Sequence, residues 1–228
     1  MTRSIKAIVT IFLWGILLHS CRSSDKQAPD LSEEKFSISA IEEGDTLSMA
    51  EMPASIMEWI RFYQVQDSGF RLPRFRSSGV TLHMESLSSA ITNGDESDFS
   101  RFFCVSPDKN RYIDLVSYSF QLYNGKLIPG EADQQVVLAD VAGQKRFQLL
   151  FYGPGQMAEA VGWLNNDRLI IAGTSRTEDG QSFSAELLLF DLRDSLYTNF
   201  QLDHLVGPDT TRMVKPGFLE HYYHDLKK

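Results

Sequence analysis

Residues 160–176 read AVGWLNNDRLIIAGTSR, and residues 102–118 read FFCVSPDKNRYIDLVSY. In each, an apolar run gives way to a polar turn holding Asn or Asp, then an Arg, then a second apolar run. The stretches that follow also match. QQVVLADVAGQKRFQLLF at 134–151 and AELLLFDLRDSLYTNFQL at 185–202 each close an apolar run on an aspartate, Asp140 or Asp191, then turn and start another run. Two units of strand, turn, strand, loop, strand, turn, strand therefore recur roughly 50–60 residues apart, and a repeat of that length governs architecture before any single motif does. β-Branched and aromatic residues fill the runs, and Gly, Pro, Asn and Asp separate them, which predicts antiparallel sheets built from hairpins.

Outward from the repeats, the β pattern starts near Phe70, with a run at 80–84 and a polar loop at 93–98. Upstream, PASIMEWIRFYQ at 53–64 spaces Ile56, Met57, Ile60 and Tyr63 for a short helix opened by Pro53, a residue suited to a first turn. The tail KPGFLEHYYHDLKK at 215–228 suggests a short C-terminal helix. The expectation is a mainly β protein: antiparallel four-stranded sheets, forming a partial propeller or a sandwich, with one short helix before them and one after.

The turns carry a resemblance. Ser106-Pro107-Asp108 resembles the turn of β-propeller blades, with Lys109-Asn110 where that turn has glycine. Trp163-Leu164-Asn165-Asn166-Asp167 resembles a second form of it, and Leu189-Phe190-Asp191-Leu192 resembles the ending of a blade's third strand. The resemblance implies blade-like sheets at 102–151 and 160–202 and points to no particular family. A closed ring takes about 4–8 blades, so two units, even with a degenerate third, do not close one.

The first 20 residues pose a separate question. Arg3 and Lys6 precede an apolar run, Ala7 to Leu18, that is interrupted only by Thr10 and Gly15. That run is too short for a membrane span of ~20 residues and has the length of a signal-peptide core. Leu18-His19-Ser20-Cys21 then resembles the lipobox of bacterial lipoproteins. The resemblance implies cleavage before Cys21, lipid on its sulfur and an acylated new N-terminus. Arg22 in place of Asp resembles lipoproteins that pass to an outer membrane. The expected organisation is a signal peptide at 1–20, a polar tether at 21–35 and one mainly β domain at 36–228.

Charge narrows the partners. Acidic residues number 30 against 22 basic ones, a net charge of −8, which becomes −10 without residues 1–20. An acidic chain lacks the basic footprint that nucleic acid demands. Membrane contact is therefore expected through lipid on Cys21, and an envelope protein or a glycan remains as a ligand.

No catalytic pattern stands out. Gly-x-Ser-x-Gly is absent, and Gly153-Pro154-Gly155 lacks the Gly-Lys-Ser/Thr of a phosphate loop. His221 and His224 share a helical face, but a zinc site takes three or four ordered ligands, and His204 and His83 lie far off in sequence. Cys104 sits in an apolar run and reads as a small buried hydrophobe. No metal and no cofactor is expected. The aromatics Trp59, Trp163, Tyr112, Tyr118, Tyr123 and Tyr152 supply flat faces, Asp108, Asp114, Asp140 and Asp191 supply carboxylates, and Gln156 sits beside the 153–155 turn. From these, Trp59, Trp163, Tyr152 and Gln156 are the candidates to face a ligand, although helical spacing also suits Trp59 to a core. Matched positions at strand ends suit Asp140 and Asp191 to a turn role, with the carboxylate accepting backbone N–H groups. The expected function is a lipid-anchored, non-catalytic binding or scaffold module of the envelope, the alternative being an accessory protein that binds or processes glycans.

Overall fold

The computed structural model describes residues 46–83, 88–90 and 99–207. The signal and tether segments, Cys21, His221, His224 and the C-terminal helix expected at 215–228 lie outside them.

Among the described residues, one α-helix, α1 (Ala54–Gln64), precedes twelve strands. Its buried residues, Ser55, Ile56, Trp59, Ile60 and Tyr63, fall three or four apart on one face, the stripe that an amphipathic helix turns to a core. Pro53 stands at its N-cap with φ −58°. All paired strands are antiparallel and fall into three sheets.

The first sheet is a meander of β9 (Gln156–Trp163), β10 (Arg168–Arg176), β11 (Phe183–Asp191) and β12 (Leu196–Leu202), to which β1 (Phe75–His83) adds along β12. The second runs β3 (Cys104–Val105), β4 (Arg111–Asp114), β7 (Gln134–Asp140) and β8 (Lys145–Tyr152), with β2 (Ser88–Ala90) added along β8. Each repeat unit therefore forms a four-stranded meander, and each gains a fifth strand from the chain ahead of it. The third sheet is the hairpin of β5 (Phe120–Tyr123) and β6 (Lys126–Pro129), inserted between β4 and β7. Its two-residue turn places Asn124 at φ 49° and Gly125 at φ 74°, the left-handed pair that matches strand twist in a tight hairpin.

The second apolar run of the 102–118 unit begins at Arg111 as a strand, and the structure breaks it after Asp114. The Asp114 carboxylate accepts the N–H groups of Val116 and Ser117, each at 2.9 Å. A side chain that satisfies local backbone donors competes with the sheet ladder, and the chain turns off into the β5–β6 hairpin.

Two cores follow from the period-2 alternation of the strands. Ile170, Ala172, Ala185, Leu187, Leu189, Phe200 and Leu202 turn one face of the first sheet toward α1, Phe70, Leu72 and Phe75. Leu169, Ile171, Leu188 and Phe190 turn the other face into a second core, shared with Ile113, Val136, Leu138 and Leu149 of the second sheet. Trp59 anchors the first core, with Tyr63 and Phe70 edge-on to it at ring centroid distances of 5.4 and 5.0 Å.

The repeat turns also meet. The Asp108 N–H donates to Asn166 Oδ1 at 3.1 Å, and Arg111 Nη1 reaches Asn166 O at 3.0 Å and Asp167 Oδ1 at 3.2 Å. Arg193, in the β11–β12 turn, holds Asp167 from the other side at 2.7 Å. Asp140 accepts the Gly143 N–H at 2.8 Å and Asp191 accepts the Arg193 N–H at 3.1 Å, the turn role that their matched positions suggest.

Candidate functional site

The four candidates to face a ligand do not converge. Trp59 is fully buried, and its indole N–H donates to Glu159 Oε2 at 2.8 Å. Its ring packs in the core and offers no face to solvent. Trp163 is half-buried and donates to the Cys104 carbonyl at 3.0 Å, tying β9 to β3. Tyr152 is buried, and its hydroxyl donates to Glu186 Oε1 at 3.0 Å. Burial first, then the Glu186 charge, push that phenol well above the usual tyrosine range. Gln156 is exposed at the start of β9, where its carbonyl accepts the Gly153 N–H at 3.3 Å and its amide reaches Ser175 Oγ at 3.4 Å. Gln156 and Trp163 are the two ends of β9, roughly 23 Å apart at the rise of a strand.

Two polar centres that the sequence does not advertise hold the scaffold together. Glu159 is fully buried and accepts from Trp59 Nε1 at 2.8 Å, Tyr63 OH at 2.6 Å and Thr174 Oγ1 at 2.8 Å. The pairing of β9 with β10 slips there, from Ala172 opposite Ala160 to Gly173 opposite Ala158. Glu159 is the extra residue of that bulge, and a bulge re-aims a side chain, here toward α1. A buried carboxylate is costly unless donors surround it. The second centre is Gln134. Its amide donates to Ala158 O at 3.1 Å and to Leu115 O at 2.9 Å, and its carbonyl accepts the Ala158 N–H at 2.6 Å. It thus occupies the backbone of edge strand β9 much as a neighbouring strand would, which blunts an edge otherwise open to foreign strands.

The cysteine and histidine groups settle into structural roles. Cys104 points its thiol at Val161 O, 3.7 Å away, and burial pushes that thiol up to about 11. His204 bridges two carboxylates, Asp67 Oδ2 at 2.7 Å and Asp203 Oδ1 at 2.9 Å, and Arg74 Nε sits 2.6 Å from Asp203 Oδ2. This clasp joins the loop after α1 to the end of β12. Among the described residues, no three His, Cys, Asp or Glu side chains gather to hold a metal ion, and no helix is long and apolar enough to cross a membrane.

The candidate binding surface is the face of the second sheet turned away from the shared core. Register and alternation put Tyr112 and Asp114 of β4, Gln135, Val137 and Ala139 of β7, and Arg146, Gln148 and Phe151 of β8 on that side. Their neighbours Ile113, Val136, Leu138 and Leu150 turn inward. Two aromatic pairs flank the strip. Phe103 stacks on Tyr112, with centroids 4.5 Å apart and planes 2° from parallel. Tyr118 meets Phe151 edge-on at 6.0 Å, and these two rings are 47% and 51% exposed. Between the pairs, Asp114, Val137 and Ala139 are buried, and the half-buried polar side chains of Gln135, Arg146 and Gln148 lie around them. Arg146 Nη2 is 3.6 Å from Asp114 Oδ2, and Gln135 donates its amide to Gln148 Oε1. Tyr112, Tyr118 and Asp114 belong to the aromatics and acids picked out from sequence. Phe103, Gln135, Arg146, Gln148 and Phe151 do not; Val136-Val137-Leu138-Ala139 is apolar at every position, so their shared face emerges only from the pairing of β7 with β4 and β8.

Compared with the models of known protein families, with curated proteins and with solved structures, the chain matches none.

Proposed function

We propose that this chain is a lipid-anchored protein of the bacterial envelope that works as a non-catalytic binding or scaffold module, and that its two five-stranded sheets are adjacent blade-like units. The membrane attachment rests on Leu18-His19-Ser20-Cys21 following a basic start and a short apolar run. The blade-like reading rests on the matched meanders and on turns that meet through Asn166 and Asp167. The binding role rests chiefly on one observation: Tyr118 and Phe151 hold an exposed edge-on aromatic pair on a sheet face with polar groups beside it. Large exposed rings on a braced sheet are the usual anchors of recognition.

The test places a photo-crosslinking amino acid at Phe151, and separately at Tyr123 on the β5–β6 hairpin, in the full chain within its native envelope. A discrete adduct from position 151, absent from position 123, is expected. Equal labelling from both positions, or none from 151, contradicts the reading.

A further inference from the structure

We infer that the ligand of this sheet face is a neutral oligosaccharide, laid across β4, β7 and β8 between the two aromatic pairs. The inference rests on the binding-module reading above and supplies its ligand class. Three features carry it. The first is the aromatic platforms. The C–H bonds on the face of a pyranose ring carry partial positive charge and settle on the negative face of an aromatic ring. Tyr118 and Phe151 are about half exposed, and the Phe103–Tyr112 stack lies at the other side of the strip. Tyr112 pairs with Ala139 and Phe151 with Gln135, two strands across and four residues along. That offset is roughly 16 Å on a sheet lattice, the span of a short oligosaccharide rather than a single sugar.

The second feature is the polar groups between the platforms. Gln135 and Gln148 are half-buried and bonded to each other through one donor and one acceptor. Among the described residues, the Gln135 carbonyl oxygen and the Gln148 amide nitrogen keep an acceptor and a donor for a ligand. An acceptor and a donor side by side suit hydroxyl groups, each of which both gives and takes a hydrogen bond. Few convergent polar groups among aromatic walls is the usual make-up of a small-ligand site.

The third feature is charge. Asp114 pairs with Arg146 and also accepts two backbone N–H groups, so the strip carries no uncompensated carboxylate that would call for a cation. The chain as a whole stands at −8, which disfavours polyanionic glycans. A neutral ligand rich in hydroxyl groups fits both the compensated charge and the free acceptor and donor of the glutamines.

The test titrates the full chain, in detergent, with cellohexaose, maltohexaose, xylohexaose and mannohexaose by calorimetry, and follows the Gln135 and Gln148 side-chain amides by NMR. Saturable binding of at least one hexasaccharide is expected, with both amides shifting. Phe151→Ala and Tyr118→Ala each raise the Kd about tenfold, while Tyr123→Ala leaves it unchanged. The unfolding midpoint of each variant is checked alongside, and should either truncation unfold the chain, the amide shifts of the natural sequence decide. Binding that ignores Phe151 and Tyr118 and leaves the amides unmoved overturns the site. No binding to any of the four sugars, with a protein adduct still formed from position 151, overturns the saccharide inference and leaves the module reading standing. Loss of both removes both.

Discussion

Replacing Gly162 with alanine tests how α1 seats on the first sheet. A Cβ at Gly162 would lie 2.4 Å from Pro53 Cβ, 2.7 Å from Ser55 Oγ and 2.8 Å from Pro53 Cγ. Comfortable carbon–carbon contact begins at about 3.5 Å, so the helix start must retreat by roughly 1 Å. The obstacle is a proline ring, which has no rotamer to swing aside. Overpacking of this kind costs about 1–3 kcal/mol. The retreat also pulls Ser55 Oγ from Val161 O, now 2.8 Å away and buried, which adds about 1 kcal/mol. Alanine in a strand regains some of the entropy that glycine loses, about 0.5–1 kcal/mol. The net expectation is a loss of about 1–3.5 kcal/mol, a drop of roughly 2–14 °C in Tm for a domain of this size. Thermal and urea unfolding measure it, and pairing with Pro53→Gly supplies the control. The double variant should recover at least 1 kcal/mol relative to additivity, because the clash is with Pro53 itself. A Gly162→Ala protein as stable as the natural one, or strict additivity with Pro53→Gly, refutes the docking of α1 on β9.

Other outcomes follow from the same contacts. Tyr63→Phe removes one of the donors to buried Glu159 and should cost about 1.5–3 kcal/mol in urea unfolding, whereas Phe62→Leu on the helix flank should cost less. Gln134→Leu strips the amide from the backbone of Ala158 and Leu115; light scattering should show more aggregation on heating, because edge strand β9 is uncovered. The His204 clasp gives a pH signature. The Asp203 hydrogen bond, more than any other contact, raises His204 above its ordinary 6.5, so its contribution is complete below that value and fades as pH rises through the raised one. Hydrogen bonds from Arg74 and then His204 hold Asp203 down at about 2, so its contribution is complete above about pH 4 and fades as pH falls toward 2. The stability gap between the natural chain and His204→Ala should peak between about pH 4 and 6.5; a gap that grows above pH 8 contradicts the clasp. Cys104, its thiol pushed up to about 11 by burial, should react with iodoacetamide at pH 8 far more slowly in the folded chain than in denaturant, measured in a Cys21→Ser background.

Much of the architecture was legible because it depends on local pattern. The matched turns at 106–110 and 164–168, and the aspartates closing β7 and β11, are short-range signals, and they mark the two meanders. The spacing of Ile56, Ile60 and Tyr63 marked α1, though it left Trp59 between core and surface. What stayed hidden depends on pairing between distant segments. Nothing local announces that β1 adds to β12 across more than a hundred residues, or that β2 adds to β8. The break after Asp114 was hidden because an aspartate reads the same whether it ends a strand or caps the N–H groups two and three residues on. Glu159 looks like one polar residue in an apolar strand. Only the bulge beside Gly173 turns it toward Trp59 and Tyr63. The candidate surface divides the same way. Tyr112 and Tyr118 stood out as aromatics, but Phe151 joins them only through the register of β7 with β8, which the bulge between Val136 and Val137 shifts by one residue.

The most direct test of the account is the mass of the N-terminal peptide of the chain purified from its native membrane. The account requires a peptide that begins at Cys21 and carries the mass of a thioether-linked diacylglycerol and an N-acyl chain, with the Cys21→Ser chain released from the membrane and unmodified. An unmodified peptide containing Met1, or one cut elsewhere and free of lipid, would contradict it.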